Sequence, residues 1–309
     1  MSARDRSNNV FRLQDDDGQL DASTILNIAL PWSQLAVLDI SKIPMPPGVL
    51  LILLHKTTRT LLDGSFQVNF NHCTVETPAT STSLMPLEVP QVAMTRLRRL
   101  AVLLVGEGLD EDFFNRIRVP QLRELRAVTM VSRGGSLSFL NPLIASSSRK
   151  LVQLELVADT SSQRHIILPT TYLGLEALLE QIPNLHTLRL PHNLYIHTTT
   201  LDRLASGSLL PSLQVLEATT SSLENAQDIF SMLARRMGRA ANGVDFIREP
   251  GPSSASGGAA GSSEVELPSP ITCVVLSMPL AEGTSFKQYV LPGYPLVRDG
   301  VKIQVEGWS

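Results

Sequence analysis

The chain has 309 residues, of which 43% are hydrophobic, 18% charged and 5% aromatic, with a formal net charge of -3. That length permits one or two domains, the leucine-rich and ring-poor composition predicts many similar aliphatic layers, and the slight acidity argues against general affinity for nucleic acid. Two distant cysteines, Cys73 and Cys273, and the absence of any Asn-x-Ser/Thr sequon predict a reducing compartment, cytoplasmic or nuclear.

Residues 1–29 read as a polar N-terminal segment: MSARDRSNNVFRLQDDDGQLD has no apolar core of a secretory signal. The longest aliphatic run, Val49 to Leu54, is far below the roughly 20 residues of a membrane helix, so no membrane partner is expected.

From residue 30 one pattern recurs, an apolar residue followed three and then five positions later by two more. It appears at Leu35, Leu38 and Ile40, then in a degraded copy at Leu61, Gly64 and Phe66. Cleaner copies follow at Leu97, Leu100 and Val102, at Leu122, Leu125 and Ala127, and at Leu151, Leu154 and Leu156. Leu185, Leu188 and Leu190 come next, and Leu213, Leu216 and Ala218 complete seven copies. The last two apolar positions lie two apart on a strand and share its inward face, while the first enters from the preceding turn. Steps between first leucines are 26, 36, 25, 29, 34 and 28 residues, less regular than a repeat of 20 to 29.

Segments of helical period alternate with these strands. In TYLGLEALLEQI, Leu175, Leu178, Leu179 and Ile182 form one stripe that stops before Pro183. After Ser221, Ala226, Ile229, Phe230, Leu233 and Met237 form another, with a Ser221-x-x-Glu224 capping box and a predicted stop at Gly238. VLLILL, LDEDFFNRI and LSFLNPLI supply the helices of earlier units. Residues 30–248 are therefore an irregular repeat domain whose units bury their leucines against their neighbours.

Residues 249–270 have the composition of a Gly/Ser/Pro-rich flexible linker. Residues 271–309 contain two strand patterns, ITCVVLSM and VKIQVEGW, which cap or extend the repeat sheet. A separate small tail element is the alternative, and about forty residues would struggle to fold alone.

The chemistry-bearing residues do not compose a site. His186, His192 and His197 lie six and five apart, unlike a helical pair of metal ligands. The acidic turn Asp15 to Gly18 lacks the register of a calcium loop. Gly134-Gly135 and Gly106-Glu107-Gly108 lack the residues that complete a phosphate cradle, and no G-x-S-x-G elbow occurs. His72 and Cys73, adjacent on a strand, point opposite ways. The expectation is no enzyme, no metal and no cofactor; a hydrolase would require a Ser or Cys, a His and an acid to converge in a cleft.

LPWSQLAVLDIS, IPNLHTLRLP, LPSLQVLEA and the closing LVRDGVKIQVEGW together resemble the C-terminal leucine-rich-repeat region of fungal F-box proteins. The resemblance runs from about Leu30 to the end and implies an α/β leucine-rich-repeat solenoid, or horseshoe, with a parallel sheet on the concave face and helices on the convex face. It also implies substrate recognition within a ubiquitin ligase. Residues 1–29 depart from the family, since they hold no Leu-Pro-x-Glu opening of an F-box. The chain is then a truncated product or a relative without adaptor binding, and the ligase adaptor is a partner only if an F-box is supplied upstream. The alternative function is an orphan or decoy repeat domain with a scaffolding role.

On such a sheet the residues flanking the inward leucines face solvent. Val37 and Asp39, Arg99 and Ala101, Glu124 and Arg126, Gln153 and Glu155, Thr187 and Arg189, and Val215 and Glu217 occupy these positions. A protein partner is expected there, with Arg99, Arg126 and Arg189 as its specificity contacts because guanidinium binds carboxylates bidentately.

Overall fold

The computed structural model describes residues 9–13, 22–71, 91–106, 111–129, 136–158, 174–191, 194–219, 223–242, 268–279 and 302–308. In each copy of the repeat the last two apolar positions fall on a strand, except that Leu190 lies one residue past the end of its strand. The strands are β1 (Val10–Arg12), β2 (Val37–Met45), β3 (Asp63–Asn69), β4 (Val92–Ala93), β5 (Arg99–Val105), β6 (Ile117–Arg118), β7 (Glu124–Thr129), β8 (Gln153–Ala158), β9 (Thr187–Arg189), β10 (Val215–Thr219), β11 (Cys273–Pro279) and β12 (Lys302–Trp308). Between them lie α1 (Ala22–Asn27), α2 (Pro47–Thr57), α3 (Glu111–Asn115), α4 (Asn141–Ser147), α5 (Leu175–Glu180), α6 (Thr198–Ser206) and α7 (Leu223–Asn242).

Ten of these strands form one sheet in the order β1-β2-β3-β5-β7-β8-β9-β10-β11-β12, and every neighbouring pair is parallel. Short β4 and β6 pair separately. Parallel neighbours require a crossover between successive strands, which the helices supply at α2, α4, α6 and α7. The result is a solenoid-like α/β arrangement.

The leucine spacing sets the register. Leu38, Gly64, Leu100, Leu125, Leu154, Leu188 and Leu216 are paired in one unbroken column across the sheet. The first leucine of each copy sits in the turn below, at 2% exposure or less from Leu35 to Leu213. Each turn also carries the same backbone device, one carbonyl accepting two successive N–H groups from the next turn. Leu62 O accepts from Arg98 and Arg99, Arg98 O from Arg123 and Glu124, Arg123 O from Val152 and Gln153, and His186 O from Gln214 and Val215. Buried leucines, each contributing roughly 1.5–3 kcal/mol, and this ladder stack the units neighbour upon neighbour.

The column continues where the leucine pattern fades. Val274 pairs with Leu216 and Ile303 pairs with Val274, so Ile271, Val274 and Leu276 form a further, fully buried copy. At the other end Phe11 pairs with Leu38, and Val10–Arg12 adds a strand inside the segment read as polar. The degraded copy is a compensated one. A Cβ on Gly64 would stand 2.6 Å from Phe66 Cε2, so the Phe66 ring fills the space that a leucine takes in the other units.

The expected helix stop at Gly238 is not one. α7 runs on to Asn242, and a Cβ at Gly238 would meet nothing within 4 Å, so this glycine costs the helix only about 1 kcal/mol of propensity. The Ser221 cap, the Asp15 to Gly18 turn, Gly134-Gly135, His72, Cys73 and His192 lie outside the described residues, as does most of the 249–270 linker. Among the described residues no helix is long and apolar enough to cross a membrane.

Candidate functional site

Side chains alternate across a strand, so a sheet that buries one set of residues presents the other. Every second residue of β5 follows this rule: Leu100, Val102 and Leu104 are buried, while Arg99 is exposed and Ala101 and Leu103 are half-buried. Two outward columns result. One runs Val37, Asp63, Arg99, Glu124, Gln153, Thr187, Val215 and Cys273; the other runs Asp39, Ser65, Ala101, Arg126, Glu155, Arg189, Glu217 and Val275. All twelve residues expected on the partner-facing surface fall in these columns.

The columns are electrostatically ordered. Arg99 Nε lies 3.0 Å from Glu124, with Nη1 3.9 Å from Asp63 on the other side. Arg126 Nε is 3.3 Å from Glu155, and Arg189 sits between Glu155 at 3.7 Å and Glu217 at 2.8 Å. The last contact is an ion pair without hydrogen-bond geometry at Nε. Such half-exposed pairs contribute at most about 1 kcal/mol each, so they orient side chains more than they stabilise the fold. The arginines stand further out than the acids, at 61%, 55% and 41% exposure against 18% for Glu155. With five N–H donors each and close contact made through Nε, they keep terminal N–H groups for a ligand.

Asp39 folds back along its own strand, accepting from Ser41 N and Ser41 Oγ at 3.2 and 2.8 Å. Asp63, passed over because its repeat copy is degraded, belongs to the ladder. Burial pushes its carboxyl above the ordinary value of 3.8, against the lowering effect of Arg99. Aligning the copies on their first leucines would have found it, since Asp63, Arg99 and Glu124 each follow that leucine by two residues.

The other candidate groups stay apart. His186 and His197 are exposed, and Tyr195 packs edge-on against His197 at 5.4 Å. Among the described residues no group of His, Cys, Asp and Glu is placed to hold a metal ion. Gly106 has φ +120°, and a Cβ there would stand 2.7 Å from Asn71 Oδ1, so its glycine answers a backbone requirement. A recess of about 540 Å³ near β6 and α4 has, among the described residues that line it, Arg118 as its one titratable group. Across the helical face, Glu176 of α5 accepts from Thr200 at 2.8 Å and from Arg203 of α6, and these hydrogen bonds hold its carboxyl below the usual range.

No family model matches the chain, and no curated protein matches it.

Proposed function

We propose that the chain is a non-enzymatic protein-interaction module that binds a protein partner across the outward face of its sheet. The carrying observation is the ladder Arg99–Glu124, Arg126–Glu155–Arg189–Glu217, which fixes a row of guanidinium groups over neighbouring strands chiefly through Nε, with only long Nη1 contacts from Arg99 and Arg189. Parallel strands about 4.8 Å apart make this a regular array rather than scattered surface charge. On this reading the solenoid is a leucine-rich-repeat horseshoe, its outward sheet face is the concave one, and the module is similar to the substrate-recognition region of fungal F-box subunits of ubiquitin ligases.

The test is quantitative co-purification of the 309-residue chain and two variants. Proteins retained by the wild type and by Arg235→Gln on α7, but lost with Arg126→Glu/Arg189→Glu, would support the reading. Equal retention by all three would overturn it.

A second reading, a decoy or scaffold without ligase recruitment, is favoured by one observation: Val10–Arg12 is engaged as a strand on β2 rather than as part of a helical adaptor-binding module. A pull-down of the chain with purified cullin-linked adaptor at micromolar concentration separates the two. The expected outcome is no direct binding by the chain alone and one-to-one binding once an F-box is fused in front. If the fusion also fails, the decoy reading stands.

A further inference from the structure

The turns that lead into the strands form a rim along one edge of the sheet, and the backbone ladder aligns that rim residue by residue. In the column just before the outward face, the successive occupants are Leu62, Arg98, Arg123, Val152, His186, Gln214 and Thr272. Only the β5 and β7 units place arginine there, and Arg123 N donates to Arg98 O at 2.8 Å, so the two stand in adjacent turns. Two positions earlier the same turns carry Arg96, Gln121 and Lys150, with Lys150 Nζ donating to Gln121 Oε1 at 2.8 Å. Arg96, Arg98, Arg123 and Lys150 are all exposed.

These cations differ from the ladder arginines a few ångströms away. Each of Arg99, Arg126 and Arg189 has a carboxylate beside it, whereas among the described residues Arg96, Arg98 and Arg123 have none within ion-pair distance. Like charges on directly neighbouring positions of a sheet are destabilising. Four exposed cations in three consecutive turns therefore make a local patch of positive charge on a chain whose net charge is -3.

The geometry points to this rim as the docking site for a carboxylate-rich segment of a protein partner. The inference rests on the protein-interaction reading and names the chemistry of the partner. Three turns at about 4.8 Å each present roughly 10 Å of rim, a length that about four extended residues of a run of Asp and Glu would span. Arg99, whose outer N–H groups are turned to solvent at the same strand start, extends the site onto the sheet face. A polyphosphate strand fits less well. No Phe, Tyr or Trp occupies these rim positions to stack on a base, which is what a nucleic-acid strand would need beyond charge.

The experiment is fluorescence anisotropy with the 309-residue chain and three labelled probes: hexaglutamate peptide, hexalysine peptide and single-stranded oligothymidine of matching charge. Hexaglutamate should bind, weaken as salt rises from about 50 to 300 mM, and lose about tenfold or more in affinity with Arg98→Glu/Arg123→Glu. The double variant should gain affinity for hexalysine, and Arg235→Gln should change neither. Arg98→Gln/Arg123→Gln, which adds no charge to an exposed rim, serves if the reversal impairs folding and should show the same loss in smaller measure. Hexaglutamate binding that survives both double variants, or no binding at all, would overturn the proposal; tighter binding of oligothymidine lost in the same variants would reassign the rim to nucleic acid. A partner still captured through Arg126 and Arg189 while the rim assay fails would remove this inference and leave the interaction module standing.

Discussion

Arg236 of α7 donates Nε to the carbonyl oxygen of Ser269 at 3.1 Å, joining the last long helix to the chain that leads into β11. The side chain is fully buried, and its remaining donors reach the carbonyls of Leu204, Leu210, Pro211 and Leu213. Burial pushes the guanidinium down to about 10, so it stays charged at neutral pH with backbone dipoles as its counter-charge. Leu210 takes a left-handed φ of 51°, and its carbonyl is one of the acceptors. Beside it, a Cβ on Gly207 would stand 2.4 Å from Pro268, showing how closely the two segments approach.

Arg236→Met keeps the volume and strands those acceptors, and should destabilise the protein by about 3 kcal/mol or more. Hydrogen exchange should rise first at Val274 to Leu276, ahead of β5 and β7. Uniform loss of protection across the sheet would show that Arg236 is not a local clamp.

Leu188 and Thr187 are consecutive on β9 and face opposite ways, Leu188 fully buried and Thr187 half-buried on the outward face. Leu188→Asp should cost about 3–5 kcal/mol, and Thr187→Asp less than about 1 kcal/mol. Denaturant unfolding of both variants checks this; equal midpoints would contradict the register.

Gly64 and Phe66 should behave as one unit. Gly64→Leu drives a side chain into the Phe66 ring and should cost about 1–3 kcal/mol. Phe66→Leu should also destabilise, by opening space. The double variant restores the leucine pattern of the neighbouring units, and a thermodynamic cycle should give a favourable coupling of about 1 kcal/mol or more.

Two carboxylates should respond to pH in opposite senses. Glu176 is held below its ordinary value of 4.5, chiefly by hydrogen bonding from Arg203 and then from Thr200. Its stabilising contribution is complete above about pH 4.5 and is lost as pH falls through the depressed folded value. Asp63 is raised above 3.8, so the folded state takes up its proton first and stability from this group increases as pH falls through the raised value. Glu176→Gln should therefore flatten part of the acid limb of a thermal-stability profile, whereas Asp63→Asn should leave the neutral-pH midpoint unchanged or higher.

The sheet was legible wherever leucine marked the column, because a buried side chain at fixed spacing dictates both face and register. Leu125 above Leu154 also places Arg126 above Glu155, so the ladder was present in the aligned copies. Val10–Arg12 was missed because three residues among polar neighbours carry no period; ITCVVLSM was legible as a strand extending the sheet, but not as a further copy of the repeat, because β-branched residues replace leucine after a long interval. Gly238 misled because packing overrides propensity: Leu233 and Arg236, both fully buried, hold the helix through it. Arg236 itself lies on the buried side of the predicted stripe, where a charge is readable as solvent-facing until its carbonyl acceptors, brought in from three other turns, are seen.

The passage from β10 to β11 has a use beyond this fold. Leu213 and Ile271 are 58 positions apart, twice the step before them, yet Gln214 O accepts from Thr272 and Cys273 in the same manner as every earlier turn. The stack reads only which residues arrive at the next turn and is indifferent to how much chain intervened. Lengthening the intervening chain costs about 0.6 kcal/mol per doubling. A reporter or enzyme spliced between positions 249 and 267 should accordingly ride on the molecule as a passenger, leaving the Arg236 clamp and the outward face to work as before.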